Sequence, residues 1–224
     1  MELPRFDVPT VAVLGGSARF PVRRIFCVGQ NYADHAREMG SDPDRQPPFF
    51  FSKPADAVVE SGSTRAFPAM TENLHHEVEL VIAIGAAGRD LGVDEAAGII
   101  FGYAAGIDLT RRDLQATAKK AGLPWDMAKG FDNSAPVGAI VPGQPPAEGA
   151  ISLSVNGAVR QKGDLADMIW KVPEILVALS ALVELRPGDL VFTGTPSGVG
   201  PLSRGDVVDA VVAGAPELKI RLGS

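Results

Sequence analysis

Glu77-Val-Glu-Leu-Val-Ile-Ala-Ile-Gly85 begins by alternating acidic with apolar residues and ends as an unbroken apolar run rich in β-branched side chains. That pattern predicts a strand that is solvated or faces a metal at one end and is buried at the other. Downstream, Gly102 to Leu109 reads as a second strand. Thr110 to Ala121 reads as a helix with Thr110 as its cap, Asp113 in the capping-box position and Gly122 as its stop. The second strand thereby carries Asp108 to the start of a helix. Upstream, Arg24 to Gly29 is a short buried strand. It leads through Asn31, a candidate helix cap, into a short helix from Ala33 to Met39 that closes on Gly40. Ser41 to Pro48 is a loop, and Phe49 to Pro54 resumes an extended pattern.

The C-terminal half repeats this grammar of strands and turns. Ile151 to Val155, Asn156-Gly157 and Ala158 to Lys162 form the strongest hairpin signal, because Asn-Gly tolerates the positive φ angles of a two-residue turn. Pro173 opens a helix to Leu185. Two further turn-and-strand units follow, at Pro187 to Gly194 and Arg204 to Val211, joined by the Gly/Pro-rich loop Thr195 to Pro201. With 25 glycines and 18 prolines among 224 residues, the chain is suited to short strands and many turns, and a helical bundle is disfavoured.

A chain of this length with 46% hydrophobic residues buries about 70% of the surface its unfolded form exposes, enough for one substantial core. The formal net charge of -6 and the lack of Lys/Arg runs argue against nucleic-acid partners. No apolar stretch approaches the roughly 20 residues that span a bilayer, so no membrane partner is expected. The one cysteine, Cys27, cannot form an internal disulfide, and Met1 to Thr10 lacks a secretory pattern. A reducing cytoplasm is the expected location.

The chemistry gathers around the opening strand. Residues two apart on a strand share a face, so Glu77 and Glu79 stand side by side. Two such carboxylates need water, a proton, a basic partner or a metal, and no Lys or Arg lies within five residues of either. Asp108, at the end of an apolar strand, is the third candidate ligand. Three carboxylates without a cysteine select a hard ion, Mg²⁺ or Mn²⁺. Taken singly, Glu-x-Glu is more often a solvated edge and Asp108 a helix cap. His75 and His76 are left outside the ligand set, since a histidine beside carboxylates serves as well as their hydrogen-bond partner.

Other residues gain weight only from this centre. On the predicted helix, positions 108, 112 and 115 fall on one stripe, so Arg112 and Gln115 point past the metal, where an arginine can grip a substrate carboxylate. His35 and Glu38, three apart, outline a general-base dyad, although a polar surface helix would look the same. Lys53 and Lys129 follow apolar segments and could stabilise an oxyanion, or simply extend into water. Thr195, in Gly194-Thr-Pro-Ser-Gly-Val-Gly200, could offer its hydroxyl to an anion.

Six ordered segments resemble the fumarylacetoacetate hydrolase family, in particular its short branch of acylpyruvate and fumarylpyruvate hydrolases. They are Gly29 to Met39, Phe51-Ser-Lys-Pro54, Asn73 to Leu80, Gly102 to Gln115, Gly122 to Phe131 and Gly194 to Gly200. The resemblance implies an α+β, β-rich fold, a mixed β-sandwich roll, in a homodimer. It implies residues 24–224 as a single catalytic domain, with 1–23 an N-terminal extension packed on it. It assigns Glu77, Glu79 and Asp108 to Mg²⁺ or Mn²⁺, His35 and Glu38 to water activation on a mobile lid, and Lys53, Arg112, Gln115, Lys129 and Thr195 to the surroundings of a small 2-oxo acid. The implied reaction is metal-dependent hydrolysis of an acylpyruvate C–C bond, with fumarylpyruvate preferred and the released enolate lying beside Lys129. An oxaloacetate decarboxylase, a 2-hydroxydienoate isomerase and a non-catalytic 2-oxo acid binder are the alternatives.

Overall fold

The computed structural model describes residues 3, 5–38 and 46–223. Met39, Gly40 and the first part of the predicted 41–48 loop lie outside the described residues. An eight-stranded sheet runs in the order Phe49–Lys53, Arg24–Gly29, Asp189–Phe192, Val78–Ile84, Ile100–Ile107, Ala135–Val137 and Val58–Glu60, with Val141–Pro142 also paired to Ile100–Ile107. The sheet is mixed: Asp189–Phe192 runs parallel to Arg24–Gly29 and antiparallel to Val78–Ile84.

A five-stranded sheet, in the order Ala158–Asp164, Ala150–Val155, Val207–Val212, Leu218–Leu222 and Ser63–Arg65, packs across it to complete the roll. Its strands alternate as their sequences predict. Ile151, Leu153, Val155, Val208, Ala210 and Val212 are buried against Leu80, Ile82 and Tyr103 of the large sheet. The hairpin turn takes φ of 52° at Asn156 and 80° at Gly157, the left-handed pair that a primed turn requires. The fold expected from the resemblance is the one observed.

The strand Val78–Ile84 is apolar on both faces because both are covered. Leu80, Ile82 and Ile84 point into the larger core, whereas Val81 and Ala83 point into a second, smaller one that includes Val11, Phe20, Ile25, Cys27, Ala104 and Phe192. The hairpin Thr10–Ala12 with Arg19–Pro21 supplies Val11 and Phe20 to this smaller core.

Three local expectations are corrected. The opening strand starts at Val78, because Leu74–His76 pairs in a separate three-stranded sheet and Glu77 occupies the step between the two sheets. The helix opened by Pro173 spans Val172–Leu182 and stops short of Leu185, whose backbone is bonded in both directions to Gly88. Asn31 does not cap a helix. Its buried amide donates to the carbonyls of Trp170 and Thr193, and its oxygen accepts from the Trp170 N–H, pinning one loop to another.

Candidate active site

Strand parity places the acidic residues. Glu79 shares the face of Val81 and Ala83; Asp108 continues the face of Ala104 and Gly106; Lys53 lies opposite Ile25 on the neighbouring strand pair. All of them therefore emerge at one end of the smaller core. Glu77, Glu79 and Asp108 are 4%, 2% and 0% exposed, and one carboxylate oxygen from each lies within 4.8 Å of the others.

The fold brings to these carboxylates the cations that their sequence neighbours lack. Lys129 Nζ, equally buried, donates to Glu77 Oε2 (2.8 Å), Asp108 Oδ2 (2.7 Å) and Thr110 Oγ1 (2.6 Å). Its three protons are all accepted, so Lys129 holds the carboxylates in place. Arg112 pairs with Glu77 Oε1 and donates to Gln115 Oε1 at 2.6 Å. Lys53 Nζ reaches Asp108 Oδ1 at 2.8 Å and donates to the carbonyls of Leu109 and Lys129. Neither lysine extends into water.

These charges divide the carboxylates electrostatically. Burial alone would raise the Glu77 pKa, but Lys129 and Arg112 outweigh it and hold it below the usual range. Burial would lower Lys129, yet Asp108 and Glu77 drive it up, so its ammonium persists. Glu79 is raised by burial and by repulsion from Asp108 and Glu77. Its Oε2 accepts from the Gly194 N–H at 2.7 Å, and among the described residues no lysine or arginine pairs with it. Asp108 Oδ1 accepts no hydrogen bond, because Lys53 approaches it off the direction that such a bond requires.

An underbonded Asp108 oxygen and an unpaired, buried Glu79 are what a divalent cation would satisfy. The donor set is oxygen throughout, which suits Mg²⁺ or Mn²⁺. His75 and His76 are engaged elsewhere, with Asn73 Oδ1 (2.9 Å) and Gln161 Oε1 (2.9 Å).

The helix Arg112–Ala121 starts two residues later than its sequence suggests. Thr110 is not its cap: its hydroxyl donates to Asp108 O at 3.3 Å and accepts from Lys129. Asp113 is not a capping-box partner either, since its carboxylate ties down Thr71 and the Glu72 N–H. Asp108 therefore lies outside the helix, and of the predicted stripe 108, 112 and 115 it is Arg112 and Gln115, three apart, that share a helical face.

His35 Nδ1 lies 3.2 Å from Glu38 Oε2, and the same carboxylate accepts from the Gly198 N–H. That leaves the other ring nitrogen, Nε2, free to accept a proton. His35, Glu77, Glu79, Arg112, Gln115 and Lys129 line a single cleft, with Thr195 in its wall. The cleft is thus lined by every predicted site residue except Asp108, Lys53 and Glu38; Asp108 reaches it through Lys129, Lys53 through Asp108, and Glu38 through His35.

Gln161 is a residue that local sequence reading passes over. Fully buried within the hairpin, it accepts from His76 and from the Val78 N–H (3.0 Å) and donates to Thr195 Oγ1 (2.8 Å) and Pro196 O (2.9 Å). It therefore clamps both sides of the step that presents Glu77. Its only sequence signal is a polar side chain at an inward position of an alternating strand. Because Thr195 Oγ1 accepts from Gln161, its own proton is free for the cleft. Gln161→Leu is expected to destabilise the protein by about 2–4 kcal/mol, since several buried polar groups lose their partners together. A denaturation midpoint matching wild type would remove Gln161 from this role.

Gly194, φ +95°, needs its glycine for space as well as conformation: a Cβ would meet the Asn31 Cβ at 2.6 Å, and its N–H is the donor to Glu79.

Residues 24–222 match the family described as fumarylacetoacetate (FAA) hydrolase, C-terminal. The chain belongs to the fumarylacetoacetate hydrolase family. Within it, a fumarylpyruvate hydrolase of a Ralstonia species is 45% identical over 177 residues, covering 78% of this chain and 92% of the relative. An oxaloacetate tautomerase of Escherichia coli K12 is 43% identical over 196 residues, covering 86% and 89%. The crystal structure of a Pseudomonas aeruginosa fumarylpyruvate hydrolase in complex with Mn²⁺ and pyruvate superposes with a TM-score of 0.96 at 48% identity, covering 100% of this chain and 99% of the other. These fumarylacetoacetate hydrolase relatives are enzymes, and this chain is an enzyme of the same family. Among the described residues no helix is long and apolar enough to cross a membrane.

Proposed function

We propose that this enzyme is a divalent-metal acylpyruvate hydrolase that converts fumarylpyruvate and water to fumarate and pyruvate. The observation that carries the reading is His35, held by Glu38, opening on the same cleft as Glu77 and Glu79, with Asp108 joined to Glu77 behind it through Lys129. Held by those three carboxylates, Mg²⁺ or Mn²⁺ supplies Lewis acidity for the substrate's 1-carboxylate and 2-oxo oxygens. His35, oriented by Glu38, takes a proton from water through Nε2. The hydroxide adds to the C4 carbonyl, and the C3–C4 bond breaks with its electron pair passing to C3. The proton taken up by His35 passes to C3 and completes pyruvate, and the acyl group leaves as the carboxylic acid, which ionises to the carboxylate. Gln115 and the Thr195 hydroxyl orient the substrate, while Lys129, Lys53 and Arg112 hold Glu77 and Asp108 in place.

Oxaloacetate tautomerisation is the second reading, supported by the 43% identity to the Escherichia coli tautomerase. It needs proton transfer between carbon and oxygen but no attacking water. In this proposal residues 24–224 are the catalytic domain, 1–23 an extension packed on it, and the enzyme a cytoplasmic homodimer; sedimentation velocity checks the dimer.

The test uses metal-stripped protein with fumarylpyruvate, acetylpyruvate or oxaloacetate, before and after Mg²⁺ or Mn²⁺ is added. Pyruvate is expected only with metal, fastest from fumarylpyruvate. Enol-to-keto conversion of oxaloacetate without pyruvate from either acylpyruvate would install the tautomerase reading instead.

A further inference from the structure

One peptide group joins a buried amide side chain to the acidic centre. Asn31 Nδ2 donates to Thr193 O at 2.8 Å, and the N–H of the same Thr193–Gly194 peptide donates to Glu79 Oε2 at 2.7 Å. Asn31, Thr193 and Glu79 are 0%, 0% and 2% exposed, so water does not compete for either bond. Only one orientation of the Asn31 amide allows the first of them. Its oxygen accepts from the Trp170 N–H at 2.7 Å, and Nδ2 also donates to Trp170 O at 3.0 Å; a flipped amide would set its oxygen against two carbonyls. The lack of a side chain at Gly194 lets Asn31 approach this closely.

Glu79 relies on this bond more than its neighbours rely on any one of theirs. Glu77 is held by Lys129 and Arg112, and Asp108 by Lys129 and Lys53, whereas among the described residues no lysine or arginine pairs with Glu79. A peptide whose carbonyl accepts a hydrogen bond is polarised into a better donor at its N–H. The charge-assisted bond from that N–H fixes Oε2 of Glu79, and with it the direction of Oε1.

We infer that Asn31 is a positioning residue for the metal centre, acting on Glu79 through the Thr193–Gly194 peptide. This inference rests on the proposed role of Glu79 as a ligand to Mg²⁺ or Mn²⁺. Asn31 bonds Thr193 and Trp170, so its effect on the ion passes through the peptide. It sets the aim of the one carboxylate of the three that has no cation to aim it.

The experiment is calorimetric binding of Mn²⁺ to metal-stripped wild type, Asn31→Leu and Thr193→Val. Asn31→Leu keeps the branched shape and removes the donors; affinity is expected to fall about 10- to 100-fold, the usual effect of losing a group that orients a metal ligand. Thr193→Val removes the hydroxyl bond to Leu80 O (2.9 Å) and leaves the peptide intact. It should lower Tm yet hold Mn²⁺ within a few-fold of wild type. Unchanged affinity in Asn31→Leu, or an equal loss in Thr193→Val, overturns the inference. Should Asn31→Leu not fold, NMR of wild type decides. Mg²⁺ is expected to shift the Gly194 amide proton and the Asn31 side-chain amide protons together, and Asn31 protons that stay in place overturn the coupling. If wild type binds neither ion, the metal reading itself fails and the inference falls with it.

Discussion

His35→Ala is expected to lower pyruvate release from fumarylpyruvate by about 10²- to 10⁴-fold, the usual contribution of a positioned general base. Mn²⁺ affinity, by calorimetry, should stay within a few-fold of wild type, because His35 touches Glu38 and none of the three candidate metal ligands. A variant that keeps its hydrolytic rate would dismiss the dyad; one that loses Mn²⁺ as well would show that the alanine disturbed the whole site. The pH profile gives an independent reading. Burial pushes the His35 pKa below its ordinary 6.5, opposed in part by Glu77 and Glu38. The working form is the neutral ring, so kcat/KM should fall as pH drops, on an acid limb below 6.5. Glu38 favours the protonated ring, so Glu38→Gln should move that limb to still lower pH. A limb shifted upward would contradict the pairing.

Lys129→Met is expected to be the most damaging single change to stability. It removes an ammonium whose three protons are accepted by Glu77, Asp108 and Thr110, leaving two buried carboxylates short of a cation. Breaking such a buried pair costs about 3–5 kcal/mol. For a chain of this size that lowers Tm by roughly 6–20 °C. Because a divalent ion neutralises the same carboxylates, Mn²⁺ should raise the Tm of the variant more than that of wild type. A variant within about 1 kcal/mol of wild type without metal would mean that Lys129 does not hold the carboxylates, given that exposed pairs contribute no more than this. Equal shifts with Mn²⁺ would place the ion elsewhere.

Much of the architecture was legible in local pattern. The apolar run at 80–84, the strand ending in Asp108, the Asn156-Gly157 turn and the Pro173 helix start are written in alternation and turn chemistry, which act over a few residues. The acidic cluster was legible too, because a Glu-x-Glu face beside an apolar run is electrostatically anomalous wherever it folds. The misreadings have a common origin. Asn31, Thr110 and Asp113 are good caps by local rules, but each polar group has a partner that the fold brings from far along the chain: Trp170, Lys129 and Thr71. A cap contributes about 1 kcal/mol, so a buried long-range hydrogen bond readily displaces it.

By itself the sequence determined the strands, the tight hairpin, the acidic character of the centre and, through six ordered motifs, the family. Periodicity is local, and motif order survives without knowledge of contacts. Only the tertiary structure decided how the charge is balanced. It brought Lys129 across 52 residues and Arg112 across 35 to Glu77, and placed Gln161 against Val78 across 83. It also set Glu77 at the step between two sheets. Charge compensation depends on distances of a few ångströms between residues far apart in the chain, and no spacing rule along the chain encodes those distances.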